Sequence, residues 1–371
     1  MDHALTTKKP TKGASEPQSA QAAEAEQTET TTFSQSGGLV ALMAKLRLSI
    51  LFSSYQSGLL YMLGYGTNGG AHLHQAAIAK PMGLCVEDEN AFTLSAGFQI
   101  LRFKNGLNPD QRVNDQFDAC FVPREVHFTA ELDAHEIGID AQGKPLFINT
   151  RFNCLATTDA RHSFREVWRP PFISALIDED RCHLNGLAMD KNKPAYVTAI
   201  SRSDTIDGWR DRRDSGGVVM DVRTNKIICE GLSMPHSPRL HQGELWLLNS
   251  GTGELGVVEG AATGKGKFVP RVFCPGFARG LAFAGNYAFV GLSKPRYKRF
   301  EGLALDQRLA DADSEPWCGI QIIDLTKGVC AEWFRIDGAV KELFDVAVLK
   351  GHACPMSIGP NAPEIVKFMT H

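Results

Sequence analysis

The chain repeats one short unit, and this repeat constrains its fold more than any other feature. The unit is an apolar run, a polar turn and a second apolar run, as in HLNGLAMDKNKPAYVTAISR at residues 183–202. That pattern is typical of a β-hairpin. The same layout recurs at residues 80–96, 135–151, 236–251 and 278–294. A recurring hairpin predicts a fold assembled from equivalent units.

Further strand-like segments follow the hairpin within a unit. After the hairpin at residues 183–202, GGVVMDV and KIICEGL are separated by the turn RTN. Four short strands in each unit of about 40 to 55 residues are the period of a β-propeller blade. In a propeller, the innermost hairpin of each blade lines the central channel. The sequence therefore predicts an all-β propeller.

The two ends of the chain carry complementary partial units. LSILFSSYQSGLLYMLGYG at residues 48–66 supplies a second and a third strand, and LFDVAVLKG at residues 343–351 supplies only a first strand. Joined, they complete one composite blade beside five continuous ones. We therefore predict a six-bladed β-propeller closed by pairing of the N- and C-terminal strands, which removes free sheet edges. Seven blades are the alternative, and a β-sandwich gives no reason for complementary half-units.

The N-terminal segment differs in composition from the rest of the chain. Residues 1–37 are rich in Ser, Thr, Ala, Gln and Glu and contain no apolar run. Such a segment cannot bury a core and does not have the pattern of a secretory signal. We predict a disordered low-complexity tail over residues 1–37 and a single β-propeller domain over residues 38–371.

Charge and cysteine content narrow the partners and the compartment. The net charge is -3, which gives no reason to expect a nucleic acid or an anionic membrane surface as a partner. No apolar run approaches the roughly 18 residues of a membrane-spanning helix. The 9 cysteines form no CxxC pair, which favours reduced thiols in a cytoplasmic protein. The oligomeric state stays open.

Histidines recur at one position of the hairpins when these are aligned on their Gly-Leu-like step. His135, His183 and His236 lie three residues before that step, and Glu342 takes this position in the composite blade. Imidazole is the commonest metal ligand and acid–base group near pH 7. We predict these four residues as catalytic and the three histidines as ligands of a divalent metal ion. A metal-free histidine site and purely structural histidines are the alternatives.

Arginines and hydroxyls lie near the same rim. A Ser or Thr ends the second strand of each unit, and arginines lie beside several of these ends. Guanidinium groups on a channel rim can bind a carboxylate or a phosphate. The predicted substrate-binding residues are Arg151, Arg202, Arg279, Asn185, Ser201 and Ser250. The alternatives are ion pairs on the rim for the arginines and turn capping for the hydroxyls.

Several segments together resemble a known family. REVHFTAELDAHEIG, LFINTRFNCLA, WRPPFIS, CHLNGLAM and MPHSPRL are similar to segments of a bacterial family of uncharacterised conserved hypothetical proteins. The resemblance extends over about residues 37–360. It implies a propeller-like domain and assigns no catalytic residue.

The remaining motifs limit the chemistry. The sequence has no GxSxG elbow, P-loop, dinucleotide fingerprint or HExxH pair. We interpret the chain as an enzyme acting at the channel mouth on a small molecule or peptide that carries an anionic group, with the three-histidine cluster as the metal site. The alternative is a non-catalytic propeller module that binds a peptide or glycan.

Overall fold

The computed structural model describes residues 30–66 and 68–370. Its strands, numbered in chain order, form six sheets that surround a central channel. The predicted all-β fold with six blades is confirmed. Five blades are continuous in sequence, and one combines strands from both ends of the chain.

Each blade has four antiparallel strands, which follow one another from the channel outward. Blade 1 contains β25 (Asp345–Lys350), β2 (Leu48–Ser54), β3 (Leu59–Tyr65) and β4 (Ala71–Ala77). Blade 2 contains β5 (Pro81–Asp88), β6 (Ala91–Ala96), β7 (Gln99–Asn105) and β8 (Ala119–Phe128). Blade 3 contains β9 (Ala134–Ile139), β10 (Pro145–Asn149), β11 (Cys154–Thr157) and β12 (Arg165–Trp168).

The second half of the ring repeats this order. Blade 4 contains β13 (Leu184–Asp190), β14 (Lys193–Ala199), β15 (Gly217–Asp221) and β16 (Lys226–Leu232). Blade 5 contains β17 (Pro235–His241), β18 (Glu244–Asn249), β19 (Glu254–Glu259) and β20 (Lys267–Phe273). Blade 6 contains β21 (Phe277–Ala284), β22 (Tyr287–Ser293), β23 (Cys318–Asp324) and β24 (Val329–Asp337).

Helices are short and lie outside the blades. The α-helices are α1 (Leu39–Leu46) and α2 (Leu305–Asp311), and the 3₁₀ turns are Arg210–Arg212, Ala261–Thr263 and Pro363–Val366. In the described part of the chain, no helix is both long and apolar enough to cross a membrane. All 9 cysteines are free thiols.

Blade 1 closes the ring as the half-units predicted. Strand β2 pairs antiparallel with β25, with Leu48 opposite Lys350 at one end and Ser53 opposite Asp345 at the other. Phe52 of β2 is fully buried and stacks on Tyr61, with 4.7 Å between ring centroids. The closing blade is therefore packed like the continuous ones.

Two additional strands extend the outer edges of blades 6 and 2. Strand β1 (Thr32–Gln35) pairs with β24, and Phe33 stacks on Phe334 with 6.0 Å between ring centroids. Strand β26 (Pro355–Ser357) pairs in parallel with β8. The predicted tail boundary is therefore wrong for residues 32–37, because a polar strand can pair through its backbone without an apolar core. Residues 1–29 of the predicted tail lie outside the described residues.

Apolar side chains fill the space between neighbouring blades. Between blades 1 and 2, Leu51 and Met62 pack with Phe92 and Phe103, all fully buried. Each such side chain stabilises the fold by about 1.5–3 kcal/mol relative to an exposed one. The blades therefore form a rigid frame for the loops at the channel mouth.

Hydroxyl groups link most neighbouring blades near the channel. Each donates its hydrogen bond to a backbone carbonyl at the start of the next blade. The donor and acceptor pairs are Ser53 and Met82, Ser95 and Ala134, Thr150 and Leu184, Ser250 and Ala278, and Ser293 and Leu343. From blade 4, the Asn185 amide donates to the Pro235 carbonyl of blade 5 instead, at 3.0 Å. Four of the hydroxyls that end second strands, those of Ser95, Thr150, Ser250 and Ser293, therefore have this structural role.

Candidate functional site at the channel mouth

The blade-to-blade hydrogen bonds define equivalent positions around the channel. In five blades, the residue after the accepting carbonyl takes the same position, which we call the inner ring. Its members are His135, Asn185, His236, Arg279 and Phe344. The inner ring therefore contains two of the three predicted histidines and one of the three predicted arginines.

His183 lies outside the inner ring, two residues before Asn185 and before strand β13. The predicted column of three equivalent histidines is therefore wrong. Aligning the hairpins on Gly138 and Arg239 shifted blades 3 and 5 by two residues relative to blade 4. Because side chains alternate with a period of two along a strand, such a shift leaves the apolar pattern unchanged.

His183 nevertheless contacts the inner ring. Its ring centroid lies 5.1 Å from that of His135, at 86° between the ring planes. His135 packs in turn against Phe344 at 5.2 Å, and the Arg279 guanidinium lies 4.8 Å from the centre of the Phe344 ring. These four side chains, with His236, form a continuous cluster that we call the mouth cluster.

Hydrogen bonds fix the tautomer of His135. Its Nδ1 lies 2.9 Å from the Asp133 carbonyl oxygen and 2.8 Å from Oγ1 of Thr150. A carbonyl only accepts, and the Thr150 hydroxyl already donates to Leu184. Nδ1 therefore carries the proton, and Nε2 has a free lone pair.

His236 has the same arrangement. Its Nδ1 lies 2.8 Å from the Met234 carbonyl oxygen and 3.1 Å from Oγ of Ser250. Its Nε2 accepts a hydrogen bond from Nη2 of Arg279 at 3.3 Å. The imidazole therefore helps to hold the guanidinium in place.

Burial keeps both inner-ring histidines neutral. It lowers the pKa of His135 to about 4 and that of His236 well below its ordinary value. Asp133 opposes the shift at His135, whereas the Arg279 cation lowers both pKa values further. Near pH 7, both rings therefore present a neutral Nε2 that accepts hydrogen bonds.

His183 is held by a carboxylate instead. Its Nδ1 lies 2.6 Å from Oδ2 of Asp180, whose other oxygen accepts the His183 backbone N–H at 3.0 Å. A carboxylate on Nδ1 orients the ring and stabilises the imidazolium that forms when Nε2 takes up a proton. The ring also packs on Trp209 at 4.3 Å between centroids. Asp180 and His183 therefore have the arrangement of a general acid–base pair.

The backbone strain at His183 belongs to the fold rather than to this pair. Its φ is 50°, and the residues leading into three other innermost strands have similar values. These residues are Lys80, Asp133 and Met234. The residues that precede these four channel strands therefore share a left-handed backbone conformation.

Arg279 carries a charge that no carboxylate neutralises by contact. Within the described residues, it forms no ion pair, and its buried Nε has no hydrogen-bond partner. Its guanidinium lies over the rings of Phe344 and Phe277, 4.8 Å and 5.8 Å from their centres. Burial lowers the pKa of Arg279, although an arginine stays charged in proteins. A desolvated cation of this kind is suited to bind an anion.

The other predicted arginines are already paired on exposed surfaces. Nε of Arg151 donates to Asp178 at 2.6 Å, and Nη1 of Arg202 lies 3.1 Å from a Glu230 oxygen. Neither residue contacts the mouth cluster in the described part of the chain. Their geometry therefore matches the alternative of rim ion pairs.

The predicted polar residues near the rim have structural contacts. The Asn185 side-chain amide donates a hydrogen bond to the Pro235 carbonyl, and its Oδ1 accepts one from the Thr198 hydroxyl at 2.7 Å. The Ser201 hydroxyl accepts the Ser203 backbone N–H at 3.1 Å. Ser250 reaches the site only indirectly, through Nδ1 of His236. These hydroxyls and amides shape the frame of the mouth cluster.

Glu342 lies on the rim in a separate network. Its carboxylate accepts hydrogen bonds from the Tyr55 hydroxyl and from Nε of Arg296, the latter at 3.0 Å. Arg296 also donates to the Tyr55 hydroxyl at 2.6 Å. Tyr55 packs edge-on against Phe344 at 5.8 Å, so this network borders the mouth cluster.

The arrangement does not support the predicted metal centre. In residues 30–66 and 68–370, no three His, Cys, Asp or Glu side chains are grouped so that they could hold an ion. Nδ1 of each predicted ligand is engaged in a hydrogen bond, and Nε2 of His236 faces a guanidinium. A cation beside Arg279 would also be repelled.

The sequence interpretation missed Asp180, Trp209 and Phe344. Asp180 precedes His183 by three residues, a spacing at which a carboxylate can reach the imidazole across a turn. This short spacing could have indicated the Asp180–His183 pair from the sequence. Trp209 and Phe344 come from other segments, and only the fold brings them to the site.

A separate cavity of about 1000 Å³ lies beside the outer strand of blade 4. Its lining includes Phe172, Arg202, Arg212 and Glu230, and no member of the mouth cluster. Arg202 and Glu230 pair with one another there. The cavity and the mouth cluster are therefore distinct places on the molecule.

Comparison with known proteins gives a family. Residues 37–358 match the family described as "Domain of unknown function (DUF4915)". No curated protein matches the chain. Among solved structures, a chain of a nidogen/laminin complex has 11% identity and a TM-score of 0.46, with 82% of this chain and 100% of that chain covered.

Two lyase structures are similar at the same low level. Virginiamycin B lyase from Staphylococcus aureus has 9% identity and a TM-score of 0.40, covering 83% of this chain and 99% of that chain. A streptogramin B lyase structure has 11% identity and a TM-score of 0.39, covering 66% and 87%. Likeness at this level says nothing about ligand or activity.

Proposed function

The chain belongs to the DUF4915 family of unknown function, and from its own site we propose that it is an enzyme acting at the propeller mouth on a small molecule or peptide that carries an anionic group. The observation that carries the proposal is the Arg279 cation, which forms no ion pair with any described residue, in one cluster with the Asp180–His183 pair. The cation supplies affinity for an anion, and the pair supplies proton transfer.

Arg279 binds the anionic group of the substrate. Its position is supported by a hydrogen bond to Nε2 of His236 and by packing against the rings of Phe277 and Phe344. A guanidinium held in this way loses little rotamer freedom when it forms charge-assisted hydrogen bonds. The site is therefore preorganised for its ligand.

His183 transfers the proton. Its Nε2 makes no hydrogen bond to another described residue, and Asp180 keeps the proton of the neutral ring on Nδ1. When Nε2 takes a proton from the substrate, the Asp180 carboxylate stabilises the imidazolium. The neutral ring of His135, 5.1 Å away, avoids placing a second positive charge beside it.

Turnover of a mixture of cellular metabolites tests the proposal without a known substrate. The protein is incubated in D₂O with the mixture, and mass spectrometry detects consumed compounds and incorporated deuterium. We expect His183→Asn to reduce consumption of the responding compound by at least about 100-fold, which is typical for removal of a general acid–base group. His162→Asn, which changes an exposed loop histidine, is the matched control.

Two outcomes would contradict the proposal that the protein is an enzyme. Equal consumption by wild type and His183→Asn would show that the pair is not catalytic. A compound that binds reversibly and is never converted would favour the non-catalytic module for a peptide or glycan.

The same preparation tests the metal prediction. A divalent ion held by His135, His183 and His236 would copurify in a fixed ratio and be lost in each single alanine variant. Proton transfer by Asp180 and His183 alone predicts turnover that persists after treatment with a chelator. Metal analysis and a chelated assay therefore separate the two mechanisms.

A further inference from the structure

We infer that the ligand of the mouth cluster is a monocarboxylate with a planar or otherwise apolar group next to its charge, and that a phosphate dianion is disfavoured. This inference rests on the proposed function, because it names the substrate class of the same site. Three observations carry it: a cation without an ion pair in the described part of the chain, carboxylates around it that are held by other groups, and aromatic side chains beside it.

The cation is single and has the geometry for a carboxylate. Arg279 is held through Nη2 by His236, and its buried Nε has no partner among the described residues. A guanidinium forms two parallel hydrogen bonds with a planar carboxylate. Its aromatic neighbours, Phe277 and Phe344, offer no further donors.

The carboxylates near the mouth cluster already have partners of their own. Nζ of Lys80 lies 3.5 Å from Oδ1 of Asp133, and Nε of Arg296 lies 3.0 Å from Oε1 of Glu342. The third carboxylate, on Asp180, holds Nδ1 of His183 at 2.6 Å, so none of these three carboxylates is paired with Arg279. One added negative charge therefore meets one unpaired cation, whereas a second would face three carboxylates without a cation of its own.

An aromatic and aliphatic cover lies beside the cation. Trp209, from the loop between β14 and β15, packs with Met234 and Phe277, and Leu303 packs against them. Phe300, from the insertion between β22 and β23, packs on Phe277 at 6.2 Å between ring centroids. The two insertions therefore meet over blade 5, next to Arg279 and His183.

This cover selects the part of the ligand next to the charge. Trp209 contacts His183 at 4.3 Å, and Phe277 lies 5.5 Å from His236. A polar chain placed against the ring of Phe277 would lose hydrogen bonds to water without recovering them, whereas a planar apolar group gains contact with the rings. A carboxylate close to an aromatic or unsaturated carbon skeleton fits both requirements.

Binding of four probes to the full chain at pH 7.5 tests the inference. Phenylacetate provides the monocarboxylate and the planar group, acetate lacks the ring, phenyl phosphate replaces the monoanion by a dianion, and phenylacetamide removes the charge. Isothermal titration or ligand-observed NMR measures the affinities. We expect saturable binding of phenylacetate, and binding at least about tenfold weaker for each of the other three probes.

Variants place the binding at the mouth. Arg279→Gln should weaken the binding of phenylacetate at least about tenfold. Arg279→Lys should retain part of the affinity, because it keeps the positive charge but not the planar guanidinium that forms two parallel hydrogen bonds. Arg271→Gln, which changes an exposed arginine paired with Glu259, is the matched control. Circular dichroism and thermal unfolding verify that each variant is folded.

Three results would overturn the inference: phenyl phosphate bound as tightly as phenylacetate, phenylacetate bound no better than acetate or phenylacetamide, or affinity that survives in Arg279→Gln. Failure of the proposed enzyme is a different result. If no compound is converted while phenylacetate binding depends on Arg279, the ligand class stands and the catalytic role of His183 falls.

Discussion

Two places along the channel axis contain a partly buried arginine, and they differ in whether a carboxylate is paired with it. Deeper in the channel, Nη1 of Arg239 lies 2.8 Å from Oε2 of Glu136, and its Nη2 lies 3.6 Å from Oδ1 of Asp345. The carboxylates also accept backbone N–H groups of Leu187 and Leu84 from neighbouring blades. We call these three charged residues the channel cluster.

The mouth cluster has the opposite character. Arg279 forms no ion pair within the described chain, and its buried Nε has no partner. In the channel cluster, the Arg239 cation of blade 5 faces carboxylates of blades 1 and 3, and these contacts tie the ring together. A partly buried cation that is paired with the protein's own carboxylates indicates a structural role, whereas one without an ion pair at the channel mouth indicates a binding site for an anion.

Removing each arginine gives the largest expected contrast. Arg239→Leu leaves Glu136 and Asp345 without their cation, and loss of one partner of a buried pair costs about 3–5 kcal/mol. Arg279→Leu removes a desolvated charge that has no carboxylate partner, so the free energy of unfolding should change by less than about 1 kcal/mol or rise. Urea unfolding of both variants measures the difference. Equal losses would show that the two clusters do not differ in this way.

The pH dependence of stability should have opposite signs in the two clusters. The pKa of His135 is about 4 in the folded protein, below its usual 6.5, so the unfolded chain binds the proton more readily and stability falls as pH drops from 6.5 towards 4. Burial raises the pKa of Asp345 to about 7 from 3.8, so its contribution is lost as pH rises from 3.8 towards 7. Each full pKa unit corresponds to about 1.4 kcal/mol.

Single variants separate these two slopes. His135→Asn retains a donor for the Asp133 carbonyl and removes the titrating ring, so it should lose less stability than wild type between pH 7 and pH 5. Asp345→Asn should gain stability relative to wild type as pH is raised from 5 to 8. Unfolding free energies at four pH values measure both slopes. The same sign in both variants would remove this distinction between mouth and channel.

The smallest expected effect concerns the hydroxyl that connects the frame to the mouth. Thr150→Val removes the hydrogen bond to the Leu184 carbonyl and one acceptor of His135 Nδ1. Loss of a buried partner costs about 1–3 kcal/mol. Thr326→Val, at an exposed turn, should be nearly neutral and is the control. A neutral Thr150→Val measured by urea unfolding would show that the hydroxyl links contribute little to ring stability.

The fold followed from the sequence because its determinants are local. Alternating apolar residues mark each hairpin, and the half-units at residues 48–66 and 343–351 require each other for a complete sheet. The pairing of Ser53 with Asp345 is the result. Thr32–Gln35 escaped prediction because backbone pairing to a blade edge demands no apolar pattern.

The candidate site could be predicted from the sequence only in part. The sequence placed histidines and an arginine at the mouth, and His135, His236 and Arg279 are there. It did not show that Arg151 is paired with Asp178, because that contact joins segments that are distant from the channel strands. Nor did it indicate the Asp180 partner of His183, although the two are close in sequence.

The sequence by itself determined the blade count, the closing strands and the set of polar residues at the ends of the channel strands, since these depend on strand period and chain order. Only the tertiary structure decided which of those residues face one another. A two-residue shift along a strand returns the side chain to the same face, so the pattern could not tell His183 from Asn185 as the inner-ring residue. The tertiary structure also decided whether Arg279 has a carboxylate partner. Ion pairing depends on distances of a few ångströms between side chains of separate blades, and the order of residues does not encode those distances.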